Sequence, residues 1–437
     1  MTAPPLLSET AVAVCMASLL FVPLAGAGLA LINSGLGRSR NAAHTMMASL
    51  CVLAIAAVAY FIAGFAWQGF AGWPAHAVTV AGKSWSWISA GHFFFRGLAL
   101  NGSPASLAAW FGMLSAGLAA LIPLGSGAER WRLRAACAST VLLAGWTYPL
   151  FAHWAWGGGW LAQLGANGGL GRGFVDAGGS GVIQVVGGLT ALSIAWILGP
   201  RRGKYAAGGM PAAIPGHNVV LVLLGCLLAL PGWAGLNSAG SLLFLRVEPG
   251  RVVLIAVNTT LAAAMGALAA AGMTSSRFGK PDASLTANGW ISGLVASSAG
   301  CALVTPLAAA AIGLVAGGLA ALSVEWFELR FAVDDPSGAV SVHAVGGIWG
   351  VMAAGFWGRF PAGAMGGSSG QWVAQLVGVA TLLGFVFPLT YALNRLLNRF
   401  CPYRVEPEGE RQGLDLYELG AGAYPEFITH TDDLTLG

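Results

Sequence analysis

Eleven long apolar runs constrain this chain more than any other feature of its sequence. A helix that crosses a bilayer needs about 20 predominantly apolar residues. Only 9% of the 437 residues are charged, whereas soluble domains carry about 25%. A soluble fold with so little charge could not cover its surface, so we predict an all-α integral membrane protein with eleven transmembrane helices. The predicted spans are residues 10–33, 43–68, 104–125, 133–155, 179–199, 217–236, 250–273, 284–300, 302–323, 339–357 and 371–397.

The Lys and Arg residues divide unevenly between the two sides of this topology. Of the 21 in the chain, 15 fall in loops on one side and six on the other. Cytoplasmic loops carry the excess of positive charge in membrane proteins. The N-terminus is therefore predicted outside and the C-terminus in the cytoplasm, in the inner (plasma) membrane of a cell. The six outer residues are Lys83, Arg96, Arg172, Arg246, Arg251 and Arg359.

The sequence offers little for catalysis or metal binding. Its six cysteines are scattered through apolar runs and form no CxxC pair, which favours buried thiols over ligands or disulfides. No nucleophile–base constellation and no phosphate-binding loop are present. We therefore expect a protein that is not an enzyme, takes no cofactor or metal, binds no nucleic acid and contacts membrane lipid.

Two stretches place a polar residue in the same frame. Asp176 precedes Gln184 by eight residues, Asp335 precedes His343 by eight residues, and a glycine pair begins three residues after each polar side chain. Eight helical residues rise about 12 Å, and half a hydrocarbon core is about 15 Å. Both side chains are therefore predicted near the midplane, as at the interface of an inverted repeat. The alternative is two unrelated core residues, each hydrogen-bonded to a neighbouring helix.

The predicted span centres hold no Asp, Glu, Lys or Arg. An ion would meet a large desolvation cost along such a route. The composition therefore favours passage of a small neutral species, or of an ion that sheds its charge at the mouth. Ammonium is such an ion, because it can leave a proton behind and cross as ammonia.

Several motifs resemble the ammonium transporter (Amt/Mep/Rh) family. They are GLGRSRN (35–41), AHWAWGGGWL (152–161), DAGGSGVIQVVGGLTALSIAWILGPR (176–201), DDPSGAVSVHAVGGIWG (334–350) and the tail from Arg404 to Tyr424. The resemblance implies a homotrimer of eleven-span protomers, each with its own pore. Five spans would be inverted on the next five, and a C-terminal helix would follow.

The resemblance also implies an outer site that recruits ammonium with an aromatic cage and a hydroxyl. Trp156, before the glycine triplet, matches the family's outer tryptophan, and a Trp face can bind a small cation; the alternative is an interfacial anchor. Trp233 is a second aromatic candidate, or a packing residue. The family's outer serine falls on a glycine here, so Ser238 or Ser241 is expected to substitute. Asp176 matches an aspartate that fixes loop amides at the helix start.

Deeper in the pore, the sequence departs from the family's pattern. Ser115 and Leu236 occupy the positions of two stacked gate phenylalanines, and Phe111 matches a neighbouring aromatic position. His343 matches the second of two pore histidines, whereas Gln184 occupies the place of the first. Glutamine can donate and accept hydrogen bonds but does not titrate, so the gate and the proton relay are predicted to be altered.

The chain divides into a transmembrane domain, 1–397, and a cytoplasmic C-terminal tail, 398–437. From composition alone, two interpretations of the tail are open: a solvated segment, or a segment that docks on the cytoplasmic face. The resemblance favours docking, coupling of the three protomers, and binding of a PII-type signalling protein at this face. Two functions remain open: ammonium/ammonia transport, and a transport-impaired ammonium sensor that acts through a cytoplasmic partner.

Overall fold

Long apolar helices make up most of the protein. The computed structural model describes residues 7–205, 209–360 and 370–425. Within these ranges, ten helices are long and apolar enough to cross a membrane. We label them, with a shorter eighth helix, in chain order: α1 (Glu9–Leu36), α2 (Ser39–Gln68), α3 (Pro104–Gly127), α4 (Leu133–Ala155), α5 (Ser180–Leu198), α6 (Val219–Leu245), α7 (Pro249–Phe278), α8 (Ala283–Ser297), α9 (Pro306–Phe331), α10 (Val340–Trp357) and α11 (Gln371–Phe400). Short helical turns also form at Phe93–Phe95, Leu164–Gly168, Pro407–Gln412 and Asp415–Leu419.

Each predicted span coincides with a helix, and α6 and α9 extend furthest beyond their predicted ends. The eighth predicted span, 284–300, corresponds to α8, which has 15 residues. At 1.5 Å per residue it is about 22 Å long, shorter than a hydrocarbon core. It packs between α7 and α9, so neighbouring helices rather than lipid cover it. The count of eleven spans stays a prediction.

A β-hairpin departs from the all-α prediction. Strands β1 (His76–Val80) and β2 (Lys83–Ile88) are antiparallel and lie in the connection between α2 and α3. Ala81 and Gly82 join them with φ values of 50° and 73°, which suits the twist of a two-residue hairpin. All five β1 residues are exposed, so no buried alternating face marks the strand in the sequence. The hairpin is joined to the core by a hydrogen bond from the backbone N–H of Trp160 to the Ser86 carbonyl (2.9 Å).

Glycines bring α1 and α6 into antiparallel backbone contact. A Cβ atom on Gly28 would lie 2.5 Å from the Gly225 carbonyl oxygen, and one on Gly225 would lie 2.6 Å from that of Gly28. A Cβ on Gly35 would likewise lie 2.6 Å from the Asn218 carbonyl oxygen. Small residues stabilise helix pairs in membranes because they let the backbones approach closely.

The glycine pairs of the repeated frame make α5 and α10 cross in direct contact. A Cβ on Gly188 would lie 2.9 Å from the Ala344 Cα of α10. Reciprocally, a Cβ on Gly347 would lie 2.7 Å from the Ser180 carbonyl oxygen of α5. The two helices therefore contact each other at corresponding positions.

The other glycine of each pair faces a third helix. A Cβ on Gly187 would lie 2.9 Å from the Ala119 carbonyl oxygen of α3. One on Gly346 would lie 2.5 Å from the Ser292 hydroxyl of α8. The two stretches that share a sequence frame thus share a packing pattern.

The C-terminal tail lies against the loops that connect α1 to α2, α3 to α4 and α5 to α6. The Arg404 guanidinium donates to the carbonyls of Leu198 (2.7 Å) and Pro200 (2.8 Å). Farther along, the Asp415 carboxylate accepts the backbone N–H groups of Ala43 (3.2 Å) and His44 (2.7 Å) at the start of α2. Residues 401–424 are therefore docked rather than solvated, whereas residues 426–437 of the tail lie outside the described part.

Gly317 of α9 provides a test of the glycine packing. A Cβ there would overlap the Gly266 carbonyl oxygen of α7. We expect Gly317→Ala to lower stability by about 1–3 kcal/mol, the usual cost of overpacking, measured as a reduced thermal-unfolding midpoint in detergent. Gly318→Ala is the matched control, because no atom lies within 4 Å of its added Cβ and alanine favours a helix. Equal midpoints for the two variants would contradict the packing argument.

Asp415 tests the docking of the tail. Asp415→Asn leaves one acceptor oxygen for two helix N-terminal donors and removes the charge. Loss of such a cap costs about 1 kcal/mol, so the tail should open roughly fivefold more often and be cleaved correspondingly faster in limited proteolysis. Glu408→Gln serves as control, since the exposed Glu408 carboxylate is bonded to Arg411 and Gln412 within the tail itself and not to the helices beneath it. Unchanged cleavage in Asp415→Asn would show that this contact does not hold the tail.

Candidate functional site

Gln184 and His343 meet at the crossing of α5 and α10. Each lies in a π-helical first turn, Ser180–Val185 in α5 and Val340–Val345 in α10. The Gln184 Oε1 and His343 Nδ1 atoms are 2.8 Å apart, and the two residues are 0% and 4% exposed. The structure thus brings together the two polar residues that the repeated frame singled out.

The hydrogen bond defines which atoms of the pair remain available. An amide oxygen only accepts, so His343 Nδ1 carries the proton in this arrangement and Nε2 is left as an acceptor. The Gln184 Nε2 amide group is buried and has no hydrogen-bond partner among the described residues. The pair therefore presents a donor on the glutamine and an acceptor on the histidine, and only the histidine can take up a proton.

Asp176 organises the start of α5. Its carboxylate accepts the backbone N–H groups of Gly179 (3.0 Å), Gly181 (2.8 Å) and Val182 (2.9 Å). Burial raises the pKa of this carboxyl to about 6, although the backbone hydrogen bonds lower it. Asp335 acts alike before α10, where it accepts the N–H of Val340 (2.7 Å). Each aspartate caps the helix that carries a polar residue of the pair, as expected for Asp176.

Three aromatic rings pack at the end of α5 where Asp176 lies. Trp156 and Phe244 are stacked, with centroids 4.6 Å apart and an interplanar angle of 3°. Phe111 meets each of them edge-on at 5.3 Å, and the Trp156 indole N–H donates to the Asp176 carbonyl (2.6 Å). Because Phe244 covers one face of the tryptophan, only the other face and the ring edges remain for a cation.

A cavity of about 250 Å³ adjoins this aromatic group. Trp156, Asp176 and Phe244 line it together with Arg172 and Arg246. Two exposed arginines therefore lie where the resemblance places cation recruitment. Positive charge at this place disfavours a resident cation, and salt at the surface weakens that repulsion by screening.

The two predicted gate positions are buried without aromatic rings. Ser115 and Leu236 are both 0% exposed, and Leu236 belongs to the main apolar core. The Ser115 hydroxyl has no hydrogen-bond partner among the described residues. It lies beside the Tyr148 side chain, whose hydroxyl is also buried.

The structure does not bring the remaining predicted outer-site residues to the cavity. Trp233 is fully buried, and neither it nor Ser238 lines that space. The Ser241 hydroxyl lies 3.4 Å from the Cys301 Sγ, so it is engaged elsewhere. At Gly240, the position of the family's serine, a Cβ would overlap the Ala177 carbonyl oxygen, which leaves no room for a side chain.

A buried ion network joins the loops near the docked tail. Arg201 donates to both oxygens of Asp334, at 2.9 Å each, and to Glu129 at 3.0 Å. Arg130 donates to the Asp334 carbonyl (2.7 Å). Burial would raise the pKa of the Asp334 carboxyl, but Arg130 and Arg201 hold it below its ordinary value. Across residues 7–205, 209–360 and 370–425, no group of three or more His, Cys, Asp or Glu could hold a metal ion.

Sequence reasoning missed Phe244, Tyr148 and the two arginines of the cavity as site residues. Phe244 lies near the end of a helix, an ordinary place for an interfacial aromatic residue, and Tyr148 lies in a mostly apolar run. Arg172 and Arg246 were assigned only to a side of the membrane. Nothing local distinguishes these residues, because they come together from separate segments: α4, the loop before α5 and the end of α6.

The sequence profile of the Ammonium Transporter Family matches residues 13–424. The ammonium transporter Amt2 of Archaeoglobus fulgidus is 37% identical over 94% of this chain and 87% of its own length. The ammonium transporter of Bacillus subtilis is 33% identical over 93% of this chain and 96% of its own length.

Solved structures agree with this family at the level of the fold. A protein described as Sensor Amt Protein superposes with a TM-score of 0.83 at 30% identity, covering 94% of this chain and 98% of its own. Candida albicans Mep2 superposes with a TM-score of 0.79 at 23% identity, over 98% of this chain and 94% of its own. The helical membrane fold and the match along nearly the whole sequence lead to one conclusion: this chain is a multi-pass membrane protein of the Ammonium Transporter Family, whose members are transporters rather than enzymes.

Proposed function

We propose that the protein carries ammonium nitrogen across the plasma membrane as neutral ammonia, through a pore in each protomer with an altered gate and proton relay. The observation that carries this proposal is the buried hydrogen bond between Gln184 and His343. The amide cannot take up a proton, so a proton cannot hop through both members of the pair. Ammonium would leave its proton at the outer mouth, and ammonia would pass alone.

The architecture proposed for this pore has eleven spans, with the first five inverted on the next five. The reciprocal contacts of Gly188 and Gly347, and the matching caps by Asp176 and Asp335, support the repeat. The antiparallel pairing of α1 with α6, the first helix of each set, also supports it. We also propose a homotrimer, which family membership supports, and a cytoplasmic face at which a PII-type protein binds, which the docked tail supports.

Labelling tests the proposed topology. In a variant without native cysteines, we expect a membrane-impermeant maleimide to label Thr10→Cys in intact cells. An odd number of spans and a cytoplasmic C-terminus together put this residue outside. Gln412→Cys should react only after permeabilisation. Thr10 and Gln412 are exposed, so neither is shielded by the protein. Reaction of both from the same side would rule out eleven spans.

Proteoliposomes given an ammonium pulse test the transport proposal. Entry of neutral ammonia takes up luminal protons, so the lumen should become alkaline with little current. Gln184→His restores a titratable partner for His343, and a current should then accompany the flux. His343→Ala removes the buried donor to the Gln184 oxygen. Leaving that oxygen unpaired costs about 1–3 kcal/mol, so we expect the flux to fall roughly tenfold or more. His76→Ala, in the exposed β1 strand, should change nothing.

The sensor function is the second candidate, favoured by the superposition on a protein described as Sensor Amt Protein. It would make the docked tail the output element, acting on a cytoplasmic partner. The absence of both alkalinisation and current in proteoliposomes, with ammonium binding retained, would support the sensor function over transport. A strong current without alkalinisation in the unaltered protein would contradict the passage of neutral ammonia.

A further inference from the structure

A cleft of about 370 Å³ opens where the C-terminal tail meets the loops beneath it. The segment at the start of α2, the connection between α5 and α6, and the tail each contribute charged side chains to this cleft. It is lined by four arginines and two glutamates, which are Arg38, Arg40, Arg202, Arg411, Glu408 and Glu410. Arg202 follows the end of α5, whereas Asp176 and the aromatic rings lie at its start, so the cleft is separate from the candidate site above.

Two of these side chains are already neutralised by groups outside the cleft. The Glu410 carboxylate pairs with Arg404 (2.8 Å), which does not line the cleft, and accepts the backbone N–H of Arg202 (2.6 Å). The Arg38 guanidinium pairs with the buried Glu129 carboxylate. Because both charges are balanced elsewhere, neither of them decides the sign of an occupant.

The other three arginines lack firm partners. The Arg40 guanidinium donates to the Glu410 carbonyl (3.3 Å), which is a neutral group. Arg202 bonds only through its backbone N–H, so among the described residues its guanidinium has no ion-pair or hydrogen-bond partner. Arg411 pairs with Glu408 (2.7 Å), but these side chains are 77% and 47% exposed, and exposed pairs contribute little. The cleft thus holds two guanidinium groups without a carboxylate and a third whose carboxylate is readily replaced.

The chemistry of these groups favours a phosphate over other anions. Guanidinium groups that face one cleft repel each other unless an anion lies between them. The planar fork of arginine matches two oxygens of a phosphate, so arginines from separate segments can share one phosphate group. A phosphate monoester carries about −1.5 to −2 charges at neutral pH, which balances two guanidinium groups. A carboxylate or a chloride ion balances only one.

We propose that Arg40, Arg202 and Arg411 form a binding site for the phosphate group of a small phosphorylated molecule or of a lipid headgroup, which holds the tail against the loops. Arg411 belongs to the tail, whereas Arg40 belongs to α2 and Arg202 to the connection between α5 and α6. A phosphate bound by all three therefore cross-links segments that must separate when the tail opens. The site goes beyond the proposed transport and does not depend on it.

Limited proteolysis of the full chain in detergent tests the site, with inorganic phosphate as the probe. A ligand that binds only the docked tail, at ten times its Kd, lowers opening about tenfold. We expect phosphate to slow cleavage of the tail by about this factor, relative to chloride at the same ionic strength. Arg40→Gln and Arg202→Gln each remove one guanidinium group, so each should lose most of the protection, and their double variant should lose all of it.

The protection is the ratio of cleavage rates without and with phosphate for each variant, so a variant with a looser tail is still informative. Arg330→Gln is the matched control, because Arg330 is an exposed arginine of α9 that does not line the cleft. It should keep the full protection. Equal protection in the unaltered protein and the Arg40→Gln/Arg202→Gln double variant would identify a general salt effect and overturn the site.

Nanodiscs distinguish the two sources of phosphate. Phosphatidic acid carries a phosphate monoester, so nanodiscs of phosphatidylcholine with phosphatidic acid present this group without dissolved phosphate. Protection relative to phosphatidylcholine alone, lost in the double variant, would assign the site to a lipid headgroup. Protection by dissolved phosphate only would assign it to a soluble molecule. Protection by neither would overturn the proposal, and because ammonium flux is not a readout here, the proposed transport would be unaffected.

Discussion

The crossing of α5 and α10 is the contact on which the central site depends. Gly188 and Gly347 let the two backbones touch, so the side chains one turn earlier reach each other without a gap. The 2.8 Å hydrogen bond between Gln184 and His343 follows from that approach. A larger side chain at either glycine would separate the helices and leave two buried polar groups unpaired.

Charge is kept out of the bundle and used at its ends. Asp176 and Asp335 satisfy backbone donors at the starts of the two crossing helices, where four N–H groups lack helical partners. Near the docked tail, Arg201 and Asp334 pair in a buried bidentate contact. Between these ends, Gln184, His343 and Ser115 supply amide, imidazole and hydroxyl groups, which can hydrogen-bond a neutral molecule without the desolvation cost of an ion.

Much of the fold could be predicted because the bilayer imposes a length and a composition on each helix. The repeated frame placed Gln184 and His343 together, since the two polar side chains occur at matching positions in two apolar runs. The hairpin could not be predicted in this way, because β1 has no buried face. The contact between the Ser241 hydroxyl and Cys301 could not be predicted either, because no sequence pattern links these two positions.

The sequence by itself determined the membrane class, the helices, the family resemblance and the loss of a second titratable group at the centre. Those properties reside in single residues or in runs along the chain. Only the tertiary structure decided that Phe244 covers Trp156, that the Ser115 hydroxyl lies beside that of Tyr148, and that the tail docks through Asp415. Each of these contacts joins residues from separate segments, so it depends on how the helices pack rather than on any local preference.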